Sequence, residues 1–313
     1  MTLVVVGSIA FDAVRTPFGE RKRMLGGSAV HFSLAASFFS DVRVVGPVGD
    51  DFGDEEYEVL HARGVVTDDI ERVEGGKTFF WRGHYDYDLN TAHTDDTQLN
   101  VFGEFQPKLS PASRQADALF LANIQPALQL EVRRQCESAQ IAGLDSMNLW
   151  IETARDSLAE AIAAVDLVLM NDAELRMLTE QPNLVRAAAA VRAMGPRVVV
   201  AKRGEYGAAL FTEEGFFALP GYPLEDVLDP TGAGDSFAGG FLGYLDAHQG
   251  QALSEPTLRR AMTYGSVMAS FNVEQFGTER IQALTTDQIN ERFAEFKQMT
   301  HFEAVPLEAR AAR

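Results

Sequence analysis

The sequence has one cysteine, Cys136, in 313 residues. No intramolecular disulfide can form, and the chain suits a reducing, cytoplasmic compartment. Long apolar runs are missing too. None approaches the ~18–20 residues that a membrane-spanning helix needs. The opening MTLVVVGSI lacks a basic leader, and its apolar run is too short for a signal peptide. Positive charge is scarce: 27 Lys and Arg stand against 45 Asp and Glu, a net charge of −18. That balance argues against a nucleic-acid surface, which needs clustered cations. It leaves room for an anionic ligand, because a nest of backbone N–H groups can hold one on an acidic protein. Internal repeats and low-complexity tracts are absent. Hydrophobic residues, at 46%, suffice for a sizeable core in one large or two ordinary domains.

Short β-branched runs recur along the chain: Leu3–Ile9, Val42–Gly49, Ala118–Ile124, Asp166–Asn171 and Arg197–Arg203. Continuous apolar runs of this length suit strands buried on both faces. Helix-like segments lie between most of them, at Ser28–Phe39, Glu55–Ala62, Leu128–Gln140, Ile151–Val165 and Leu184–Met194. The alternation predicts parallel strands joined by helical crossovers. Cys136 falls within one helix-like segment and reads as a small packed or surface side chain. Two regions break the rhythm. Phe11–Leu25 is irregular, and Thr78–Asp88 alternates large aromatics (Phe79, Trp81, Tyr85, Tyr87) before a polar, turn-rich run. Structureless loops this long are uncommon in compact domains, so these regions predict a small β-rich appendage over one end of the sheet. From Asp235 to about Phe296 the pattern is helical, and the last residues, EAVPLEARAAR, read as a peripheral tail.

The stretch DPTGAGDS (Asp229–Ser236) runs straight into a helix-like FAGGFLGYL. Gly239, Gly240 and Gly243 would weaken a free helix by about 1 kcal/mol each relative to alanine. They make sense if the helix packs very close to the sheet. Gly232, Ala233 and Gly234 offer N–H groups at the positive end of that helix, a ready anion site. The residues alone leave two readings of Asp235. It caps the helix, or it takes a proton from a hydroxyl beside a phosphoryl group docked on those amides.

DPTGAGDSFAGGF resembles the C-terminal signature of the PfkB, or ribokinase-like, carbohydrate kinases. Gly26-Gly27-Ser28-Ala29-Val30-His31, VVGPVGDDFG (Val44–Gly53) and the N-x-x-E of Asn171-Asp172-Ala173-Glu174 resemble it as well. The likeness runs from Gly7 to about Gly277. It implies one ribokinase-like domain over residues 1–313, a three-layer α/β/α fold with a mostly parallel sheet. The small β appendage, about 11–25 and 76–107, would be a lid. It also implies ATP-dependent phosphorylation of a hydroxymethyl group on a sugar. Asp235 would be the general base, with Gly232, Ala233 and Gly234 as the anion hole. Asn171 and Glu174 would help hold Mg²⁺-bound phosphates, Glu174 through water. Gly204 and Gly207 fit a glycine-spaced turn that touches the nucleotide. Lys202 stands where relatives often carry threonine, and could serve as a point charge for phosphate. Ser266, in Tyr264-Gly265-Ser266, would approach the adenine. Asp229 and Thr231 resemble the monovalent-cation site, for K⁺, of some members.

At the acceptor end, Asp12 of GSIAFD would accept bonds from hydroxyls. Gly26 and Gly27 would let backbone come close, and His31 is a further candidate contact. Ala10, Ser28 and His31 differ from the residues of ribokinase itself, which argues against ribose. The alternative acceptor is a nucleoside of the adenosine type, suggested by GSI-x-x-D, the aromatic lid and Gly265-Ser266. A third reading is a silent binding protein on the kinase fold, but such proteins usually lose the base, and Asp235 is present. The expected partner is a small acceptor molecule, with no nucleic acid or membrane. The aromatic stripe could also support a homodimer through the lid.

Overall fold

Leu3, Val4, Val5 and Val6 are fully buried, as residues of a central strand covered on both faces must be. A computed structural model describes residues 1–251 and 253–304. The C-terminal tail from residue 305 onward lies outside the described residues. Nine strands form the main sheet: β1 (Thr2–Val6), β4 (Asp41–Val48), β5 (Val66–Arg72), β8 (Ala118–Leu121), β9 (Ile141–Leu144), β10 (Leu167–Asn171), β11 (Val198–Lys202), β12 (Ala208–Phe211) and β13 (Phe216–Leu219). Their order is β13-β12-β11-β10-β9-β8-β1-β4-β5. The seven strands from β5 to β11 run parallel, and the β12–β13 hairpin closes one edge antiparallel.

Alternate side chains feed two separate cores. Leu3, Val5 and Phe120 face the helices Ser28–Ala36, Ala233–Asp246 and Glu255–Asn272. Val4, Val6, Leu119 and Leu121 face Pro126–Gln135, Arg155–Ala163 and Leu184–Arg192. This is the three-layer α/β/α arrangement that the family resemblance implies, built on the parallel strands and helical crossovers that the alternation predicts. Cys136 ends the Pro126–Gln135 helix and is fully buried.

Gly239, Gly240 and Gly243 do not serve an approach to the sheet, as the sequence suggested. They serve two neighbouring helices. A Cβ on Gly239 would lie 2.4 Å from the Phe32 carbonyl, and one on Gly240 would lie 2.8 Å from the Tyr264 carbonyl. The glycines let the Ala233–Asp246 helix wedge between Ser28–Ala36 and Glu255–Asn272, which fixes where its N-terminus points.

The remaining strands, β2 (Ala10–Thr16), β3 (Gly19–Gly26), β6 (Phe79–Tyr85) and β7 (Ala92–Gln98), form a second sheet in the order β3-β2-β6-β7. β7 lies within the run read as polar and turn-rich. Its sequence, AHTDDTQ, is nearly all exposed, so no apolar alternation marks it. A clamp at Gly49–Asp51 holds the entry to β6. Asp50 accepts the Gly75 N–H, Asp51 accepts the Thr78 N–H, both at 2.7 Å, and the Gly49 N–H donates to Thr78 Oγ1 at 3.0 Å.

Candidate active site

The C-terminal ends of β9, β10 and β11 carry Asp145, Asn171 and Lys202 to one rim of the main sheet, where open α/β sheets bind ligands. The Ala233–Asp246 helix begins beside them. Its N-cap, Gly232, has φ +75°, a conformation that suits glycine, and no side chain caps the helix. Among the described residues, the Ala233 N–H bonds to the Pro230 carbonyl at 3.2 Å, whereas the N–H groups of Gly232 and Gly234 have no acceptor. Two of the three expected anion-hole amides are therefore free, at the positive end of a 14-residue helix.

Lys202 adds a full charge to that end. Its Nζ donates to Asp145 Oδ2 at 2.6 Å and lies 3.0 Å from where a Gly234 Cβ would be. Asp145 had no signal in the sequence. It follows a strand of four residues, IAGL, too short and too poor in β-branched residues to mark. Asn171 and Glu174 form a reciprocal cap at the next helix: each backbone N–H donates to the other's side chain at 2.8 Å.

Asp235 sits half-buried in the first turn of its helix. Burial, followed by the Asp145 charge, pushes its carboxyl up to about 7, while Lys202 pulls the other way. Glu174 is raised to about 7 by burial and by Asp145, again opposed by Lys202. Burial outweighs the Gly27 N–H to push Asp12 up to about 7 as well, with help from Asp229 and Asp235. Lys202 itself is held above its usual range, because Asp145, Glu174 and Asp235 together outweigh its burial. Two carboxyls poised near neutrality beside one lysine, Asp235 and Glu174, can exchange a proton at ordinary pH.

Asp12 projects from β2 and is 5% exposed. The Cβ of any larger residue at 26 would lie 1.9 Å from Asp12 Oδ2, and the Gly27 N–H approaches the same oxygen at 3.4 Å. Gly27 has φ +93°, and a Cβ there would strike the Ser8 carbonyl at 2.5 Å. Ser28 is stapled to Ser8 by reciprocal bonds of 3.0–3.2 Å. Tyr85 comes down from β6, and its phenol accepts from Thr231 Oγ1 at 3.2 Å. Burial holds that phenol well above its ordinary value, so it stays neutral.

The other expected residues take different places. His31 is 2% exposed and packs against the loop at Gly232. Its Nδ1 pairs with Asn272 Oδ1 at 3.0 Å, and its ring occupies the space a Gly232 Cβ would need. Burial lowers its basicity. Asn272 also accepts from Ser236 Oγ and donates to the Thr231 carbonyl, which ties the loop to the helix behind it. Asp229 is fully buried, and its two oxygens accept the N–H groups of Thr231 and Gly277 at 2.9 and 3.0 Å. Gly204 and Gly207 both have positive φ after β11. A Cβ on Gly207 would collide with the Leu219 carbonyl at 2.1 Å, so packing on β13 already requires glycine there. Ser266 is nearly buried in the Glu255–Asn272 helix.

Residues 2–284 match the family described as pfkB family carbohydrate kinase. A cytidine kinase from Thermococcus kodakarensis is 29% identical over 249 residues, covering 77% of this chain and 87% of that protein. An ATP-dependent ribose-1-phosphate kinase from Halopiger xanaduensis is 27% identical over 274 residues, covering 86% and 87%. The structure of a Burkholderia thailandensis nucleoside kinase in complex with inosine superposes with a TM-score of 0.77 at 19% identity, over 94% of this chain and 97% of that one. That likeness shows a shared ribokinase-like fold. No helix among the described residues is long and apolar enough to cross a membrane. With the match spanning nearly the whole chain and the GAGD loop set on the sheet's rim, this protein belongs to the pfkB family of carbohydrate kinases and is an ATP-dependent kinase of the sugar or nucleoside type.

Proposed function

We propose that this kinase phosphorylates the hydroxymethyl group of a nucleoside, with Asp235 as general base. One observation carries the mechanism: Asp235, with a carboxyl near 7, stands in the same turn as the free amides of Gly232 and Gly234 and next to Lys202. Asp12, across the cleft on β2, is the acceptor of hydrogen bonds from the substrate's hydroxyls. Asp235 takes the proton of the attacking hydroxyl, and the two amides with Lys202 stabilise negative charge on the transferred oxygens. When bound, ATP supplies the phosphoryl group.

The residues present fit such a ligand. Unpaired amides at a helix start and a half-buried lysine form an anion cradle. Among the described residues, no group of three or more His, Cys, Asp or Glu could hold a metal alone. A divalent ion, Mg²⁺ in our reading, would therefore depend on phosphate oxygens and water, with Glu174 and Asn171 touching its hydration shell. Both Asp229 oxygens already hold backbone N–H groups. Asp229, the expected K⁺ ligand beside Thr231, is thus satisfied by protein donors alone. The second sheet acts as a lid that keeps water from the transferring group.

The cytidine kinase relative favours a nucleoside acceptor; the ribose-1-phosphate kinase relative favours a sugar. A panel of cytidine, adenosine, inosine, ribose, fructose and ribose 1-phosphate, each with ATP and MgCl₂, separates the two. The nucleoside reading expects the highest kcat/KM on a nucleoside. Turnover of sugars alone overturns it.

A further inference from the structure

The inner face of the small sheet follows from its pairing. In the β2–β6 ladder, Asp12 stands opposite Trp81 and Val14 opposite Gly83, and paired residues share a face. β6 continues without a bulge against β2, so Trp81, Gly83 and Tyr85 all project to the side of Asp12. That side faces the Asp229–Asp235 loop, because Tyr85 reaches Thr231 and Asp12 feels the charges of Asp229 and Asp235.

Trp81 lies flat on this face. A Cβ on Gly83 would sit 2.3–2.4 Å from the indole's Cζ2 and Cη2, so the ring covers bare backbone that any other residue would fill. Its Nε1 donates to Thr94 Oγ1 at 3.1 Å, which pins the far edge of the ring to β7. The polar edge is thus satisfied within the sheet, and the ring is only partly buried. Of the four aromatics in the alternating stripe, Phe79 stacks on Phe102 at 5.2 Å and Tyr85 binds the loop. Tyr87 is 86% exposed. Trp81 alone of the four is a flat, fixed, partly uncovered ring beside the acceptor carboxylate.

Building on the nucleoside reading, we infer that Trp81, laid flat on Gly83 and pinned by Thr94, is the platform on which the base of the acceptor nucleoside stacks while Asp12 holds its hydroxyls. A planar heterocycle has a π-face to offer such a ring, and a free sugar has none. Stacking is tolerant of base identity, so this platform selects nucleosides over sugars without choosing strongly among bases.

Trp81→Ala should raise KM for cytidine, adenosine and inosine about tenfold or more, with kcat within about twofold and the KM for ribose unmoved. Trp81→Phe should restore most of the nucleoside affinity. Gly83→Ala should weaken nucleosides with Trp81 still in place, because it lifts the ring. A binding readout guards against misfolding: in Trp150→Phe, Trp81 is the sole tryptophan, and cytidine should quench its fluorescence while ribose does not. Nucleoside turnover with an unchanged KM in Trp81→Ala, or no quenching by cytidine, overturns the platform and leaves the nucleoside reading standing. Turnover of sugars alone overturns both.

Discussion

The two sheets of this protein are built to opposite standards. In the main sheet, β8 and β9 bury every side chain, and helices cover both faces. In the small sheet, β3 and β7 expose most of theirs. What holds the small sheet is β2, buried at all but one position with Phe11 in the main core, together with a main-chain ladder, a few half-exposed ion pairs such as Arg82–Asp96 at 3.8 Å, and the Gly49–Asp51 clamp at the entry to β6. Exposed pairs of that kind contribute about 0–1 kcal/mol each. One sheet is a rigid floor that fixes Asp235, Lys202 and Glu174. The other is a cover anchored through β2 and exposed along its edge strands β3 and β7, and it carries Asp12, Trp81 and Tyr85. A kinase that must admit an acceptor and then exclude water needs both properties in separate places.

The difference can be broken first at the floor. Phe120 is fully buried and stacked on Phe32 with ring centroids 4.5 Å apart. Phe120→Ala should cost about 3–5 kcal/mol of stability, visible as a large drop in the denaturation midpoint. A loss below about 1 kcal/mol would show that the main sheet is not the rigid half.

At the rim of the floor, Lys202→Met removes the cation that holds Asp235 and Glu174 down. The base must be deprotonated to act, so kcat/KM should rise with pH through about 7 in the parent. Without Lys202 the carboxyls climb, and that limb should move to higher pH, with kcat reduced as well. A limb that stays in place would separate Lys202 from the base.

The smallest effect belongs to the cover. Asp51→Ala removes the acceptor of the Thr78 N–H and should cost only about 1 kcal/mol. Hydrogen exchange should nonetheless speed up across residues 79–98 and stay unchanged in β1 and β8. Uniform exchange through both sheets would mean that the clamp does not hold the cover separately.

The contrast between the sheets also decides what could be read from sequence. Strands buried on both faces announce themselves: Leu3–Ile9, Ala118–Ile124 and Arg197–Arg203 all contain observed strands. β7 carries threonines and aspartates on both faces at an edge, so its ladder leaves no hydrophobic period. β9 is buried but only four residues long, and Asp145 at its end was missed with it. The glycines of the Ala233–Asp246 helix signalled close approach correctly, but not to what: two helices rather than the sheet. Local patterns report burial, while the identity of the partner depends on the long-range fold. His31 shows the same limit. A histidine beside a double glycine reads as a candidate contact, yet its ring supports Gly232 from below. Trp81 was visible as one of four aromatics. Only the register against Asp12 and the bare backbone at Gly83 set it apart.

The central claim is that the Asp235 carboxylate takes the acceptor's proton beside the free amides of Gly232 and Gly234. Asp235→Asn keeps the size and the helix start but cannot accept that proton. In Asp235→Asn, kcat should fall by about a thousandfold or more, while ATP affinity by calorimetry and the denaturation midpoint stay near those of the parent. An Asp235→Asn protein that turns over its acceptor at the parent's rate would contradict it.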